Sequence, residues 1–129
     1  MGYDYPRDQV SSLEGLYWDK CDWQMLIRVP GFVTKTEVRR AAIAVIEKGK
    51  PEAAKRVELV KLKEGKCAQV LQVGPYSRAP ETIQALEAFA AEQGYEMTAN
   101  CHEIYLNDPR RVAPERLKTI MRISLRMKK

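Results

Sequence analysis

The segment Cys101–Leu106 contains the residue types in this sequence that are best suited to chemistry. Alternation along a β-strand predicts that Glu103 and Tyr105 share one face and that His102 lies on the other. A carboxylate among apolar and aromatic neighbours is costly to bury unless it is hydrogen-bonded or meets a cation. Glu103 is therefore a candidate site residue. The alternative is an exposed glutamate on an edge strand, or one that pairs with Arg122 on a neighbouring strand.

Aromatic side chains could form the walls of such a site. Trp18 and Trp23 flank a short turn, and an indole offers a flat ligand a large rigid face whose quadrupole attracts cations. The alternative for both is packing in the core. Tyr76 follows Gly74 and Pro75, where a strand ends, so its hydroxyl either faces a cleft or packs on the turn.

Composition excludes several classes of function. The chain has 129 residues, 45% hydrophobic and 30% charged, which is typical of one globular domain. Three cysteines without a Cys-x-x-Cys spacing and a single histidine predict neither a disulfide framework nor a zinc site, and we expect no metal or cofactor. The net charge of +5 and a basic C-terminus without interleaved aromatics favour a solvated face over direct nucleic-acid binding. Without a secretory signal or an apolar span, we expect a cytoplasmic protein that does not bind membranes.

The first half of the chain predicts a hairpin strand and a helix after an extended lead-in at residues 1–12. Alternating apolar residues over 23–29 predict a strand of a β-hairpin. Thr34 and Glu37 have the spacing of a capping box, so a helix should begin there and continue to about Lys48. Its apolar positions lie three and four apart and should pack on a sheet; they are Val38, Ala41, Ala42, Val45 and Ile46.

The second half predicts a hairpin, a helix and further strands. The hairpin strands cover 57–62 and 66–73, and the helix runs from Pro80 to near Gly94. The buried stripe of that helix should consist of Ile83, Leu86, Phe89 and Ala90. Strands at 95–98, 101–106 and 119–125 follow, with a short helical piece at 114–117 before the last. Together these elements predict an α+β fold, an antiparallel sheet with helices packed on one face.

Three motifs in order give the chain a family resemblance: Leu13–Trp18, Gly74–Ser77 and the long segment His102–Ile120. The chain resembles the GyrI-like small-molecule-binding family over residues 13–123. The resemblance implies a sheet of two β-α-β-β (SHS2-type) modules in a pseudo-twofold arrangement with a hydrophobic cleft between them, in a domain covering 13–129.

The resemblance also implies a function. In related effector-binding domains of multidrug regulators a glutamate among aromatic residues binds cationic aromatic ligands, and Glu103 matches that glutamate. The cleft would then be lined by Trp18, Trp23, Tyr76 and Tyr105, with Tyr17 and Met25 beside them. Some members hydrolyse cyclopropanoid natural products, with Glu103 as the general base and Tyr105 or Tyr76 as its hydrogen-bonding partner. A third alternative is a protein-interaction module, like the gyrase inhibitor that names the family.

The chain departs from stand-alone members of that family ahead of the first motif. Only residues 1–12 precede it, which implies an incomplete first module without its strand and helix. An open sheet edge of this kind favours association, so we expect a homodimer. Cys21 and Cys101 also stand where relatives have tryptophan and histidine, which favours ligand binding over hydrolysis.

Overall fold

The computed structural model describes residues 2–4 and 23–129. They form five strands and two α-helices, namely β1 (Gly2–Asp4), β2 (Trp23–Gln24), α1 (Lys35–Glu47), β3 (Cys67–Val73), α2 (Ala79–Glu92), β4 (Tyr95–Tyr105) and β5 (Lys118–Met127). The strands make one sheet of order β2-β1-β4-β5-β3, in which every pair is antiparallel. The α+β prediction is confirmed. Residues 2–4 of the predicted extended lead-in form the short strand β1, and the rest of the lead-in lies outside the described residues.

The sheet and α2 belong to one unit, and residues 27–63, with α1, form a second unit. Helix α1 begins as predicted. The Thr34 amide donates to Glu37 Oε2 at 2.6 Å and the Glu37 amide donates to Thr34 Oγ1 at 3.3 Å, which completes the capping box. No residue of α1 is buried, and the element against which its apolar face packs stays a prediction. Periodicity identifies the apolar face of a helix but does not determine what covers it.

Helix α2 covers one face of β3, β4 and β5 and forms the core with them. It has Pro80 in its first turn and ends just before Gly94, as predicted. The core cluster consists of Ala68, Ala79, Ile83, Leu86, Cys101, Met121 and Ile123. Phe89, predicted to be buried, is 53% exposed. It lies about a quarter turn from the centre of the stripe that Ile83, Leu86 and Ala90 define.

Strand β4 is one continuous strand, where the sequence predicted two. Its register with β5 shifts between Met97, which pairs with Leu125, and Cys101, which pairs with Ile123, so β4 has two extra residues in this segment. The Thr98 hydroxyl donates to the carbonyl oxygen of Ser124 at 3.1 Å within this bulge. The gap between the two predicted strands therefore coincides with a bulge, which does not end the strand.

Two other predicted strands are shorter or absent. The strand predicted over 23–29 ends at Gln24, and residues 57–62 form no strand. Alternating apolar residues allow a strand, but a strand also needs a neighbour with which to exchange hydrogen bonds. Within the described residues β2 pairs only with β1, and β3 pairs only with β5. The 3-10 turn at Pro114–Arg116 and the final strand agree with the sequence.

Candidate functional site

Glu103 lies in an interior strand, on the face of the sheet that α2 covers. Strand β4 runs between β1 and β5, and Glu103 stands opposite Met121, which is part of the core. The Glu103 side chain is only 3% exposed, and Cys101 on the same face is fully buried. The predicted division of β4 into two faces is confirmed, since the neighbouring His102 pairs with Glu64 on the other side of the sheet.

One carboxylate oxygen of Glu103 is hydrogen-bonded and the other is not. The Tyr105 hydroxyl donates to Oε2 at 2.6 Å, whereas Oε1 has no hydrogen-bond partner in the part of the chain that the structure describes. Burial raises the pKa of Glu103, and the hydrogen bond from Tyr105 offsets this only in part. Neither an exposed edge position nor a pair with Arg122 describes this residue, because Arg122 donates to Glu64 at 2.6 Å. A buried carboxylate with a spare acceptor is suited to bind a cation or to take a proton from water.

Tyr76 comes from a different part of the chain and joins this pair. It begins the 3-10 turn Tyr76–Arg78 between β3 and α2, and its ring centroid lies 5.5 Å from that of Tyr105 at an interplanar angle of 62°. This is an edge-to-face contact between the two rings. Burial raises the pKa of the Tyr76 hydroxyl, and the negative charges of Glu103 and Asp108 raise it further.

The turn that carries Tyr76 is held by two features. Gly74 has φ 134°, in the region that favours glycine, and its amide donates to the Leu117 carbonyl oxygen at 2.9 Å. Gln72 Nε2 donates to the Pro75 carbonyl oxygen at 3.3 Å, while Thr82 donates to Gln72 Oε1 at 2.6 Å. The sequence analysis missed the buried Gln72. Strand alternation could have identified it, because Gln72 lies four residues after the buried Ala68 and therefore on the same face of β3.

The loop after β4 places a second carboxylate near Tyr76. Asp108 accepts hydrogen bonds from the Arg110 amide and guanidinium at 2.8 to 3.2 Å, which hold the pKa of Asp108 below its ordinary value. Asn107 accepts from the Lys118 amide at 2.9 Å and donates to the Arg116 carbonyl oxygen at 2.9 Å. This part of the family motif therefore builds the connection between β4 and β5. Asp108, which the sequence analysis included only as part of that motif, contributes its charge.

A polar network lies on the other face of the sheet, behind Glu103. Glu64 Oε1 is 2.7 Å from His102 Nδ1, and Glu64 Oε2 accepts from Arg122, which also donates to Gln69 at 2.9 Å. Partial burial alone would raise the pKa of Glu64, but the hydrogen bonds from His102 and Arg122 outweigh it and lower the pKa. His102 thus has a role on this face and takes no part in the Glu103 cluster, as the alternation predicted.

The structure brings three of the predicted site residues together, namely Glu103, Tyr105 and Tyr76. Trp23 lies in β2, opposite Tyr3 of β1, and Met25 is 70% exposed just after that strand. Tyr17 and Trp18 lie outside the described residues, so their places in the site stay predictions. Within residues 2–4 and 23–129 no group of three or more His, Cys, Asp or Glu side chains could hold a metal ion. No helix in that part of the chain is long and apolar enough to cross a membrane.

Three solved structures that are similar to this chain come from Listeria innocua. Two are described as hydrolases and a third as an uncharacterized conserved protein; all three are 35% identical to this chain, with TM-scores of 0.70, 0.70 and 0.71. Each match covers 77% of this chain and 52%, 50% and 50% of the solved chain, so this chain spans about half the length of those relatives. No curated protein matches it.

The sequence profile of the GyrI-like small molecule binding domain matches residues 4–126, nearly the whole chain. The matched region contains the capped helix, the bulged strand β4 and the loop that Asn107 and Asp108 build. It also contains the buried Glu103 with both tyrosines. Sequence profile, fold and solved relatives agree, and the chain belongs to the GyrI-like small-molecule-binding domain family.

Proposed function

We propose that the chain binds amphipathic aromatic cations, with Glu103 as the anion that selects them and Tyr76 and Tyr105 as part of the wall. The observation that carries this proposal is that Glu103 Oε1 has no hydrogen-bond partner among the described residues, although the glutamate is almost fully buried. A buried acceptor without a partner costs stability, and a ligand that supplies a positive charge removes that cost.

The electrostatics of Glu103 favour a cation over a neutral ligand. Burial raises its pKa because the ionised carboxylate is poorly solvated there. A bound cation stabilises the ionised form, so cation binding lowers the pKa of Glu103 and releases a proton from the neutral form. Affinity for a cation should therefore increase as the pH rises through the raised pKa.

The tyrosine pair favours an aromatic cation over a small one. Tyr76 and Tyr105 meet edge to face, an arrangement that leaves ring surface for a flat ligand. A cation over such a ring gains about 0.5–2 kcal/mol, in addition to the apolar area it covers. Trp18, Trp23, Tyr17 and Met25 remain predicted members of the wall. A positive charge and a flat aromatic ring occur in many unrelated compounds. The proposal therefore includes a broad, multidrug specificity.

A titration of rhodamine 6G tests the proposal, with the anisotropy of the dye as the readout. Glu103→Gln should weaken binding at least tenfold, about 1.4 kcal/mol, because it removes the negative charge and keeps the shape. Glu87→Gln is the matched control, since it makes the same change at an exposed position of α2 and should leave the affinity unchanged. Of these proteins, only Glu103→Gln should lose the increase in affinity with pH.

Equal affinity in wild type and Glu103→Gln would contradict the proposal, because binding would then not depend on the buried carboxylate. No binding to either protein would contradict it as well and would favour a protein-interaction role. The predicted homodimer is independent of both outcomes and stays a prediction.

A second candidate function is hydrolysis of cyclopropanoid electrophiles, which two relatives described as hydrolases favour. Glu103 Oε1 would take a proton from water while the water oxygen bonds to a cyclopropane carbon. One ring C–C bond breaks, and its electron pair moves through the conjugated system to a carbonyl oxygen. Tyr76 would donate a proton to that oxygen, because the Tyr105 hydroxyl already donates to Glu103; the Glu103 proton returns to Tyr76 through solvent.

A synthetic spirocyclopropyl cyclohexadienone tests this candidate, since ring opening removes its dienone absorbance. We expect turnover that Glu103→Gln reduces by about 100-fold or more, the contribution of a general base, and that Tyr76→Phe reduces by about tenfold. Glu87→Gln should retain full activity. Dye binding without any consumption of the dienone would exclude hydrolysis of this substrate class and leave the binding proposal intact.

A further inference from the structure

Thr119 carries a second buried polar atom without a partner. The side chain is 1% exposed, and its Oγ1 makes no hydrogen bond to any residue that the structure describes. Among the described residues, two buried side-chain oxygen or nitrogen atoms lack a hydrogen-bond partner, namely Thr119 Oγ1 and Glu103 Oε1. Such atoms are uncommon in folded proteins and call for an explanation.

The two unpartnered atoms belong to the same face of adjacent strands. Thr119 stands directly opposite Tyr105, and Met121, two residues later, stands opposite Glu103. Opposed residues of an antiparallel pair project to one side of the sheet, so Thr119 and Glu103 are diagonal neighbours. Diagonal neighbours are separated by about 7–8 Å between their backbones, a span that one ligand group can bridge.

The polar side chains next to Thr119 make their hydrogen bonds with other groups. Gln72 stands opposite Thr119 on β3, but its side chain donates to Pro75 and accepts from Thr82. The Tyr105 hydroxyl donates to Glu103 Oε2. None of these hydrogen bonds reaches Thr119 Oγ1.

We propose that Glu103 and Thr119 form a two-point hydrogen-bonding site that selects aromatic cations bearing N–H groups. This inference rests on the proposed function and narrows its ligand class. One N–H of the ligand donates to Glu103 Oε1, which as a carboxylate oxygen can only accept, and a second N–H donates to Thr119 Oγ1. A quaternary or fully alkylated cation supplies charge but satisfies neither atom, so it should bind more weakly.

Thionine and methylene blue provide a matched pair of probes. Both are flat, permanently charged phenothiazinium dyes, and they differ because methylene blue has N-methyl groups where thionine has N–H. Wild type should bind thionine at least tenfold more tightly than methylene blue. Thr119→Val should reduce that preference to threefold or less by weakening thionine alone. Thr119→Ser, which keeps the hydroxyl, should retain the preference.

Thermal unfolding without ligand gives a readout that a merely structural threonine would not give. Thr119→Val replaces the unpartnered hydroxyl with a methyl group of similar size, so its melting temperature should equal or exceed that of wild type. A clearly lower melting temperature would show that the hydroxyl is satisfied within the protein and would overturn the proposal.

The dye series separates this inference from the proposed function. Equal binding of both dyes to wild type, with both weakened by Glu103→Gln, would overturn the role of Thr119 and leave the cation site standing. Equal weakening of both dyes by Thr119→Val would also overturn it, since the hydroxyl would then not read N–H groups. Failure of both dyes to bind would overturn both.

Discussion

Replacing Glu103 with methionine should stabilise the protein without ligand at neutral pH, by about 1–3 kcal/mol. One oxygen of the buried carboxylate has no partner within residues 2–4 and 23–129, and Glu103 opposes Met121 of the core, so an apolar side chain of similar length fits its surroundings better. The Tyr105 hydroxyl would lose its hydrogen bond to Glu103, but this side chain is 38% exposed and can bond to water. The variant would thus be more stable but would lose its affinity for the cation. Binding sites commonly lower the stability of the folded protein in this way.

The sign of the pH dependence follows from the raised pKa of Glu103. Below its ordinary value of 4.5 the carboxyl is neutral in both folded and unfolded chains and ionisation costs nothing. As the pH rises, Glu103 ionises first in the unfolded chain, because its pKa is lower there. The folded protein therefore loses stability between the unfolded pKa and the raised folded pKa of Glu103, and no further stability is lost above that range. The advantage of Glu103→Met should therefore be smallest near pH 4 and largest near pH 8.

Urea unfolding of wild type and Glu103→Met at both pH values measures this difference. Glu64 and Asp108, whose pKa values are lowered, change stability in the opposite sense at low pH, but they are common to both proteins and cancel. An advantage that is constant between pH 4 and pH 8 would contradict a raised pKa for Glu103. Glu87→Met serves as the control for a change at the exposed surface.

Met121→Ala should lower the free energy of unfolding by about 2–5 kcal/mol, the largest effect expected of any substitution considered. Met121 is fully buried at the centre of β5, where it meets Glu103 on β4 and Val70 on β3. Truncation removes buried apolar atoms and leaves a cavity that a sheet covered by a helix cannot close.

Met127→Ala is the matched control, because Met127 lies on the same strand but is 73% exposed. It should change the free energy of unfolding by no more than about 0.5 kcal/mol. Urea midpoints with an unchanged slope would report both values. Similar losses for the two variants would mean that α2 and the sheet do not form the core described above.

The sequence predicted the elements whose signals are local. The capping box located the start of α1, and Pro80 and Gly94 bounded α2. The strand predicted at 119–125 lies within β5. Local signals did not determine pairing, since the segment 57–62 has strand-forming residues but forms no strand. Whether such a segment becomes a strand depends on a partner that the segment itself does not specify.

The site was predictable to the extent that it depends on one strand. Parity along β4 was sufficient to bring Glu103 and Tyr105 together and to separate them from His102. The approach of Tyr76 depends on the turn after β3, and the position of Thr119 depends on the register between β4 and β5. Thr119 could have been identified from its spacing to Met121, two residues later on the buried face. The lack of a hydrogen-bond partner for its hydroxyl among the described residues could not be predicted from the sequence. It depends on the directions of the hydrogen bonds that neighbouring side chains such as Gln72 make.

The bulge in β4 gives this protein a place where its length can change without moving the site. Between Met97 and Cys101 the strand has two more residues than β5 has between their partners, and regular pairing resumes at Cys101. Loss of one of the extra residues would leave a bulge of one residue and keep the segment 101–105 in register with β5. The same loss within the regularly paired segment 101–105 would exchange faces along the strand and present an imidazole where the carboxylate now lies. Descendants of this chain can therefore lengthen or shorten β4 at the bulge far more easily than beside the glutamate.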